Sequence, residues 1–589
     1  MKLLILAAVL AALAGCANIS NTSGELTTDE RFRAIYESEW AWRNTYDPQW
    51  DDATPDDKLP KSWGRVDVAS QDEQLAYMQG VVAKLDALDA GSLSPEGQIN
   101  LAIYRDQIDV RMARITYREY EKPLNADSTF WGNVAGATPK AFRNEAQALS
   151  WIALLNDIPR FFDDETANMK LGLARGFTPP RVTLQGRAES ISAIYANKTP
   201  EQSQFYEPFN SLPSNIPAER RAMLQAEAKA VIAEKVFPAY RSFLPYFRDE
   251  YLPRTATDIA ATKMPDGGAY YAAQIREFTT LKKSPEDIHQ IGLAEVAKIK
   301  ARMLDVMKEA GFTGDLPAFL TFLRTDPQFY AKTPDELLMR AAWISKKFDG
   351  KAKYFFGRLP RSRFDVIPVP DDIAPFYTAG RGGTGVYLVN TYNLPSRALY
   401  SLPALTLHES APGHAFQMPL ADEQEGVPDF RRKTYISAFG EGWALYCELL
   451  GEEMGMYQTP YETFGMLSYQ MWRAARLVVD TGIHAKGWTR EQGQDFFREN
   501  TALAEHEITT EVDRYISWPG QALSYYLGQM AIVEGRKRAE TALGAKFDIR
   551  NFHDTVLQLG SVPLPVLDAR IDRFIAEGGP DPYAETLAK

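Results

Sequence analysis

The sequence predicts a mainly α-helical protein with one small β-sheet. Apolar residues recur at three- and four-residue spacings through most of the chain, as one face of a helix requires. The β-branched and aromatic residues typical of strands are concentrated in two short segments. The 589 residues, 45% of them hydrophobic and 24% charged, have the composition of a globular protein with a substantial core. We therefore expect a large helical body that carries a small sheet.

Helical periodicity is clearest in six segments, which are residues 72–89, 95–120, 216–251, 285–310, 333–348 and 460–486. Three of these segments start with a hydroxyl side chain followed by proline, at Ser94-Pro95, Ser284-Pro285 and Thr333-Pro334. A hydroxyl oxygen can cap a helix N-terminus, and proline is tolerated at the first helical position. We interpret these pairs as helix starts and not as functional sites.

The strand signal lies in residues 364–369 and 386–392. Between them, the glycine-rich run at residues 380–385 matches the dinucleotide-binding pattern G-x-G-x-x-G. We exclude that function because the glycines precede a strand, whereas the pattern requires them to follow a strand and open a helix. We expect a mobile loop, either beside a binding cleft or as a plain surface turn.

The N-terminus is typical of an export signal. Lys2 precedes an apolar run, residues 3–14, that is too short to remain as a membrane-spanning helix. The run ends Leu13-Ala14-Gly15-Cys16, which resembles a bacterial lipobox and implies cleavage before Cys16 and acylation of its thiol with lipid such as palmitate. The alternative is an ordinary secretory signal with a chance cysteine. A lipid on Cys16 would make the membrane a partner of this protein.

We divide the chain into four parts. Residues 1–15 are the expected lipoprotein signal peptide, and residues 16–29, rich in Ser, Thr and Asn, are the expected flexible tether. Residues 30–252 form a predicted N-terminal helical region. A stretch containing Gly and Pro begins at residue 253, so residues 253–589 are the expected second region, which holds the motifs described below.

Charge and cysteine content exclude some functions. The formal net charge of −12, with no run of Lys or Arg, argues against a nucleic-acid partner. If Cys16 carries lipid, Cys447 is the only thiol left, so no disulfide can form within the chain. Its apolar neighbours predict a buried thiol and not a nucleophile.

The segment Leu407-His408-Glu409-Ser410-Ala411-Pro412-Gly413-His414 holds two of only six histidines. A catalytic zinc site needs about three protein ligands and a carboxylate that can take a proton from water. His408 and His414 could be ligands and Glu409 the base. On a regular helix, however, residues six apart point about 120° away from each other and lie roughly 9 Å apart along the axis.

Pro412 removes this difficulty because it has no N–H and its ring disfavours a helical Ala411. The helix must therefore bulge or break. If two residues loop out, His414 returns to about the face of an i+4 histidine, and Gly413 is the residue best able to take unusual dihedral angles. The alternative is a helix-ending Pro-Gly turn with two surface histidines.

The downstream segment Phe439-Gly440-Glu441-Gly442-Trp443 offers a third ligand. Glu441 stands between two glycines ahead of an apolar helix, and these glycines would let that helix cross the metal-bearing helix closely. The alternative is a solvated carboxylate at a helix N-terminus. The sequence thus predicts a zinc centre formed by His408, His414 and Glu441.

Several strings make a resemblance specific: LHESAPGHAFQ, FGEGWALYCE, RLVVDTGIHAKGW, EVDRYISWPGQALSYYLG and FHDTVLQLGSVPLPVL. They are similar to the bacterial family catalogued as domain of unknown function 885, over about residues 32–574. That family resembles gluzincin metallopeptidases, which hold zinc with two histidines and a glutamate. The resemblance implies that His408, His414 and Glu441 are the ligands and Glu409 the general base. Because both predicted strands lie just upstream of His408, we also expect the small sheet to pack beside the metal-bearing helix.

Candidate oxyanion partners lie further along the chain. Arg476, Asp480 and His484 are spaced i, i+4, i+8 on one predicted helix and share a face. Asp480 could orient His484, which could then contact the oxyanion or a metal ligand. The alternative for Arg476 and Asp480 is an ion pair that ties two helices together.

A second cluster surrounds residues 519–521 and consists of Arg514, Tyr515, Tyr525 and Tyr526. We expect one of the three tyrosine hydroxyls to polarise the scissile carbonyl. The sequence leaves all three open, although adjacent residues of a helix point in different directions, so only one of Tyr525 and Tyr526 should face the cleft.

The strand at residues 386–392 is the expected substrate-binding element. Peptidases commonly hold substrate as an added strand on an exposed sheet edge. Val386, Tyr387, Val389 and Asn390 are therefore predicted to contact a peptide.

The sequence thus predicts a zinc-dependent enzyme that hydrolyses peptide bonds, in small peptides, and is anchored by lipid in the bacterial envelope. We expect it at the periplasmic face of the outer membrane in preference to the cell surface. Two alternatives stay open: a zinc hydrolase of another amide or an ester, and a non-enzymatic lipoprotein with a degenerate metal site. The absence of G-x-S-x-G disfavours serine chemistry, and the sequence leaves the oligomeric state open.

Overall fold

The computed structural model describes residues 26–46, 54–371 and 374–584. These residues form a mainly helical protein with one three-stranded sheet, as predicted. The predicted signal peptide, Cys16 and residues 16–25 of the predicted tether lie outside the described residues. Within the described ranges, none of the helices combines the length and the apolar character needed to cross a membrane.

The first half of the chain contributes helices α1 to α8. Their bounds are α1 Thr28–Tyr46, α2 Val68–Asp86, α3 Pro95–Thr116, α4 Phe130–Gly136, α5 Glu145–Arg175, α6 Arg187–Ser192, α7 Ala218–Val231 and α8 Phe237–Pro245. The helix predicted at residues 216–251 consists of α7 and α8 with π-helical segments at Ile232–Val236 and Tyr246–Tyr251. The predicted periodicity is thus present, but the helix is not regular.

The second half contains the remaining helices and the sheet. The helices are α9 Gly267–Thr279, α10 Pro285–Glu309, α11 Leu316–Thr325, α12 Pro334–Asp349, α13 Leu402–Glu409, α14 His414–Asp422, α15 Asp429–Arg432, α16 Ser437–Glu453, α17 Pro460–Lys486, α18 Arg490–Asn500, α19 Glu505–Ser517, α20 Ser524–Leu543, α21 Ile549–Leu557 and α22 Leu564–Ala576. The strands are β1 Asp365–Pro368, β2 Gly380–Gly383 and β3 Val386–Val389.

The predicted helix starts are confirmed by their capping bonds. Ser94 Oγ accepts from the Gly97 N–H at 3.0 Å, Ser284 Oγ from Asp287 at 3.1 Å, and Thr333 Oγ1 from Glu336 at 3.1 Å. In each case the hydroxyl satisfies a backbone donor that the helix itself leaves free.

The apolar core of the described residues is divided among clusters. One cluster lies wholly within residues 124–251 and joins α4, α5, α7 and α8. Another joins residues 32–108 to residues 348–574, so α1, α2 and α3 pack with the C-terminal part of the chain. A further cluster surrounds α17, which is buried almost continuously from Phe464 to His484. The N-terminal helices therefore belong to two different packing units.

The sheet has the strand order β1-β3-β2, with β1 parallel and β2 antiparallel to β3. The expectation of a mobile loop at residues 380–385 is wrong, because residues 380–383 pair with residues 386–389 as strand β2. Tyr387 and Val389 pack with residues of α12 and α13 in a small apolar cluster. The sheet therefore lies beside α13, as expected.

A candidate metal centre

The two histidines of the motif lie on separate helices. Helix α13 ends at Glu409, and α14 begins at His414. In the break between them, the Ser410 N–H donates to Thr406 O at 2.8 Å, and the Gly413 N–H donates to Leu407 O at 3.0 Å. The break brings the imidazole centroids of His408 and His414 to 5.0 Å apart. The predicted interruption at residues 410–413 is confirmed.

Close packing explains the small residue at position 413. A Cβ added to Gly413 would lie 1.8 Å from the His408 carbonyl oxygen and 2.6 Å from Leu407 O. Its φ of −74° is available to any residue, so the need for glycine comes from the contact and not from the φ angle. The carbonyl of Pro412 accepts from Trp443 Nε1 at 2.8 Å, which ties the break to α16.

Glu441, on α16, completes a group of three. Its Oε2 lies 3.4 Å from His408 Nε2 and 3.5 Å from His414 Nε2. The candidate ligand atoms of the three residues all lie within 4.8 Å of one another. Zinc bonds of about 2.0–2.1 Å in a tetrahedron place neighbouring ligand atoms roughly 3.3 Å apart. The donor types and their spacing therefore fit a zinc ion.

The glycines beside Glu441 contact other segments and not, as predicted, the helix that carries His408. A Cβ on Gly442 would lie 2.4 Å from Gly528, on α20, and one on Gly440 would lie 2.4 Å from the Tyr435 ring. The glycines thus allow close approach of α20 and Tyr435, and not of the helix that carries His408. The expected reason for these glycines is wrong, and Glu441 lies within α16 and not ahead of the helix.

A second carboxylate on α16 orients His408. Glu448 Oε1 lies 2.8 Å from His408 Nδ1, and Glu448 is fully buried. A carboxylate bonded to the distal nitrogen of a metal-binding histidine fixes the ring orientation and leaves the other nitrogen free for the metal. Arg473 lies 3.7 Å from the same Glu448 oxygen. The sequence analysis missed Glu448, although its position seven residues after Glu441 places both on one helix face.

Charge in the centre favours a bound cation. Burial raises the pKa of Glu441, but His414 and His408 outweigh it and hold that pKa well below its usual value. Burial likewise lowers the pKa of His408, but Glu441 and Glu448 outweigh it and raise that pKa to about 9. Glu441 thus lies beside both imidazoles and Glu448 beside that of His408, and a metal cation can take the place of the proton that these carboxylates stabilise.

Glu409 is held by strand β2. Its Oε2 accepts from the Gly382 N–H at 2.7 Å. A Cβ on Gly382 would lie 1.7 Å from the Glu409 carbonyl oxygen, so only glycine allows the strand to lie this close to the end of α13. The glycine-rich segment therefore positions the predicted general base.

Of the three predicted tyrosines, Tyr525 interacts electrostatically with Glu441. Burial raises the pKa of Tyr525, and the nearby Glu441 carboxylate raises it further. The Tyr526 hydroxyl points elsewhere and donates to Glu295 Oε2 at 2.8 Å. Tyr515 is fully buried, and its hydroxyl donates to Glu511 Oε2 at 2.8 Å. The Tyr515 and Tyr526 hydroxyls are thus used in other contacts, so the roles predicted for these two residues are wrong, and Tyr525 is the predicted tyrosine that remains a candidate.

Tyr435 is a further hydroxyl that the sequence analysis missed. It donates to Glu441 Oε1 at 3.2 Å, and its ring lies 6.4 Å from that of His414. The side chain is 46% exposed, so a ligand in the cleft can reach it. It stands in the short connection before α16, outside any motif, and no pattern in the sequence marks it.

The predicted role of His484 is wrong. Its Nδ1 accepts from the Ala261 N–H at 2.9 Å, and its Nε2 lies 2.9 Å from Tyr515 O. Both ring nitrogens are therefore used in the core. Asp480 does not orient it, because the Asp480 carboxylate accepts from Tyr271 Oη at 2.6 Å and from the Gly520 N–H at 3.1 Å. These residues connect helices and do not enter the centre.

Arg476 and Arg514 share Glu511. Glu511 Oε2 accepts from Arg476 Nη2 at 3.0 Å and from Arg514 Nη2 at 2.9 Å. Burial raises the pKa of Glu511, but the two guanidinium groups outweigh it and lower that pKa to about 2. Arg476 also stacks on Tyr525, with 4.3 Å from its Cζ to the ring centroid. Arg476 thus supports Tyr525 and does not pair with Asp480.

The predicted substrate strand is not an edge. Strand β3 lies between β1 and β2, so its main-chain groups are already paired on both sides. Tyr387, Val389 and Asn390 are buried, and Asn390 Nδ2 donates to the carbonyls of residues 374, 377 and 378. The role predicted for Val386, Tyr387, Val389 and Asn390 in binding an added strand is therefore wrong. Strand β2 is the sheet edge beside Glu409.

The thiol of Cys447 is buried and free, as predicted. Burial raises its pKa well above the usual value, and the neighbouring Glu448 carboxylate raises it further. A thiol kept protonated in this way is a poor nucleophile.

Comparison with known proteins identifies the family of this chain. The family model described as "Bacterial protein of unknown function (DUF885)" matches residues 51–571. The chain belongs to this family. The DUF885 match includes every residue of the candidate metal centre, and the family carries no assigned activity. No curated protein matches the sequence.

Two solved structures are similar to this DUF885 protein. A candidate lipoprotein from Colwellia psychrerythraea has a TM-score of 0.85 and 24% identity, over 94% of this chain and 100% of that chain. A candidate lipoprotein of unknown function from Shewanella oneidensis has a TM-score of 0.69 and 16% identity, over 92% and 99%. At these identities the similarity establishes a shared fold.

Proposed function

We propose that the protein is a zinc-dependent hydrolase of peptide bonds, similar in its site to gluzincin metallopeptidases. The observation that carries the proposal is the convergence of His408, His414 and Glu441, with separations of 3.4 and 3.5 Å between Glu441 Oε2 and the two Nε2 atoms. The Glu448–His408 bond adds the outer carboxylate that such sites use. Zinc bound there would supply a Lewis acid that polarises the scissile carbonyl and lowers the pKa of water.

Glu409 is the proposed general base. It directly follows the ligand His408, and the Gly382 N–H holds one of its oxygens. The other carboxylate oxygen stays available to take a proton from the attacking water and pass it to the leaving amine. A fixed carboxylate does this without the entropy cost of ordering a mobile side chain at each turnover.

Tyr525 and Tyr435 are the proposed oxyanion donors. The Tyr435 hydroxyl donates to Glu441 Oε1, the Glu441 carboxylate raises the pKa of Tyr525, and stacking of Arg476 on the Tyr525 ring holds that side chain in place. A hydroxyl that donates to the developing oxyanion stabilises the transition state more than the ground state. The two tyrosines thus take the oxyanion-stabilising role that the sequence predicted for His484.

Strand β2 favours peptides over other acyl substrates. Among the described residues, its outer edge pairs with no other strand, and the Gly382 N–H is the donor on that edge that Glu409 already uses. An extended peptide can add to such an edge through main-chain hydrogen bonds, independent of side-chain identity. Esters and simple amides lack the repeated main-chain groups that this mode needs.

We further propose that lipid on Cys16 anchors the protein in the bacterial envelope. The lipobox-like sequence at residues 13–16 supports this, as does the description of both similar structures as candidate lipoproteins. The membrane is then a partner through the lipid and not through a spanning helix.

A substrate screen tests the function. The zinc-supplemented protein and its Glu409→Gln variant would be assayed with short quenched-fluorescence peptides and, in parallel, with aryl esters and acylated amines. We expect peptide hydrolysis that disappears in the variant and after chelation. Turnover of esters or amides alone would favour a hydrolase of another class, and inactivity on all three would favour the non-enzymatic alternative.

A further inference from the structure

A pocket of about 150 Å³ is lined in part by α13, the helix that carries His408 and Glu409. Leu402 and Leu405 of α13 form part of its wall, together with Val389 at the end of β3 and the following Asn390. Leu405 precedes His408 by three residues and Glu409 by four, spacings that make side chains neighbours on a helix surface. The pocket is therefore about one helical turn from the proposed reaction centre.

The size of the pocket suits one substrate group. Its volume corresponds to roughly five water molecules. A single side chain or a chain end fits such a space. Tyr400 and Tyr469 add to its wall, so the pocket combines aromatic, aliphatic and polar surface.

The charged residues of the wall carry a net positive charge. They are Arg324, Arg397 and Glu507, which gives two cations against one carboxylate. Arg324 is already used, because its guanidinium group donates to Thr501 O at 2.6 Å and to Ala502 O at 3.3 Å. Arg397 is the cation without a comparable set of acceptors.

Arg397 is mostly buried and poorly paired. Its side chain is 12% exposed, and its Nε has no hydrogen-bond partner among the described residues. The ion pair recorded for it is a contact of 3.9 Å from Nη1 to Glu507 Oε1, which is too long for a hydrogen bond. Glu507 is partly used elsewhere, since its Oε2 accepts from the Ala504 N–H at the start of α19.

Glu511, also on α19, shows how a glutamate with a full set of arginine hydrogen bonds behaves. Glu511, one turn after Glu507, takes two arginine hydrogen bonds, and its pKa falls to about 2. Burial has the largest effect on the pKa of Glu507 and raises it, although Arg397 acts in the opposite direction. Burial also lowers the pKa of Arg397. An arginine held in a pocket at this cost is typical of a site completed by an anionic ligand.

We infer that this pocket binds a carboxylate of the substrate, with Arg397 as the residue that pairs with it. The inference rests on the proposed peptide hydrolysis and specifies its substrate class: peptides with an acidic side chain or a free C-terminal carboxylate near the scissile bond. A bidentate Arg–carboxylate pair inside a low-dielectric pocket supplies both affinity and orientation.

Direct binding to matched peptides tests this inference. The zinc-loaded Glu409→Gln protein would be titrated calorimetrically with acetyl-Ala-Ala-Ala-amide, with the same peptide carrying a free C-terminal carboxylate, and with acetyl-Ala-Glu-Ala-amide and its Gln counterpart. We expect at least one carboxylate probe to bind roughly tenfold more tightly than its neutral partner. The probe whose affinity increases shows whether the pocket binds a C-terminal carboxylate or an acidic side chain.

Variants of the pocket make the test specific. Arg397→Gln should reduce the carboxylate preference to within about twofold, Arg397→Lys should retain part of it, and Glu507→Gln should increase it by removing the competing carboxylate. Arg340→Gln, at an exposed arginine paired with Glu336 on α12, is the control for the change in net charge. Thermal unfolding would verify that each variant is folded.

The outcomes separate the pocket from the proposed reaction. Equal binding of charged and neutral probes, no binding of any probe, or a preference unchanged by Arg397→Gln would overturn the inference. Arg397-dependent binding without hydrolysis of any peptide by the wild-type protein would support the pocket and contradict the peptidase proposal. Hydrolysis of charged and neutral peptides at equal rates would support the peptidase proposal and contradict the role of the pocket.

Discussion

Glu448 Oε1 bonds to His408 Nδ1 at 2.8 Å from the same helix, α16, that presents Glu441 to His408 Nε2 at 3.4 Å. Glu441 and Glu448 are seven residues apart, close to two full helical turns. One rigid helix therefore contacts both nitrogens of a single imidazole. Its two carboxylates fix the ring in one plane and favour positive charge beside it.

This relationship predicts the effect of Glu448→Gln. The amide oxygen can still accept from His408 Nδ1–H, but the negative charge that makes the imidazole a better ligand is lost. We expect zinc affinity to fall by about 10–100-fold, as measured by competition with a chromogenic chelator. Glu452→Gln, an exposed change on the same helix, should leave the affinity unchanged. Equal affinities of the Glu448 variant and the wild type would contradict an orienting role.

Gly413→Ala should disrupt the break between α13 and α14. A methyl group there would overlap the His408 carbonyl oxygen, so the chain must shift where the two histidines converge. We expect a loss of about 3 kcal/mol or more in the free energy of unfolding, measured by urea denaturation of the metal-free protein. Gly80→Ala is the control, because it lies exposed in α2 with open space around it and should stabilise by about 0.5–1 kcal/mol. A Gly413 variant of wild-type stability would show that the break can be built another way.

The adjacent tyrosines provide a matched pair. Tyr525→Phe should lower kcat by about 10²–10³-fold because it removes a donor to the oxyanion, with little effect on zinc content. Tyr526→Phe should leave kcat unchanged and cost about 1 kcal/mol of stability through the lost bond to Glu295. Steady-state kinetics on the best peptide substrate would measure both. A larger loss of kcat in the Tyr526 variant would reverse the assignment.

His484 predicts a pH effect on stability. Burial lowers the pKa of His484 to about 4, whereas an unfolded histidine has a pKa of about 6.5. The unfolded state thus binds the proton first, and the stability from neutral His484 is present above pH 6.5 and is lost as the pH falls toward 4. At pH 5 the loss is about 2 kcal/mol.

His484→Gln tests that effect, because a glutamine amide can accept from the Ala261 N–H and donate to Tyr515 O without titrating. Urea denaturation at pH 7.5 and pH 5.0 should show a smaller loss of stability in the variant than in the wild type, by about 2 kcal/mol. Identical losses in the two proteins would mean that His484 is not held neutral in the core.

Local rules predicted the features that depend on neighbouring residues in the chain. The capping hydroxyl of Ser284 and the break forced by Pro412 follow from steric and hydrogen-bonding constraints within a few residues. The same constraints limited where His414 could lie relative to His408. These features needed no knowledge of the tertiary contacts.

The features that were missed depend on contacts between distant segments. Strand β2 lacks the β-branched and aromatic residues that mark a strand in a sequence. Gly382 is required by its close contact with Glu409 and not by strand propensity. His484 and Asp480 share a helix face with Arg476, but that face meets three different partners. Tyr435 reaches Glu441 from a short connection, and periodicity does not indicate the direction of such a side chain.

Zinc content measures the central claim most directly. The full chain, purified and supplemented with zinc and then dialysed, would be analysed by mass spectrometry for bound metal, beside His414→Ala, Glu441→Gln and Glu409→Gln. We expect about one zinc ion per chain in the wild type and in Glu409→Gln, with weakened binding in the two ligand variants. Wild-type protein that retains no zinc, or ligand variants that retain it as tightly as the wild type, would contradict the proposed centre.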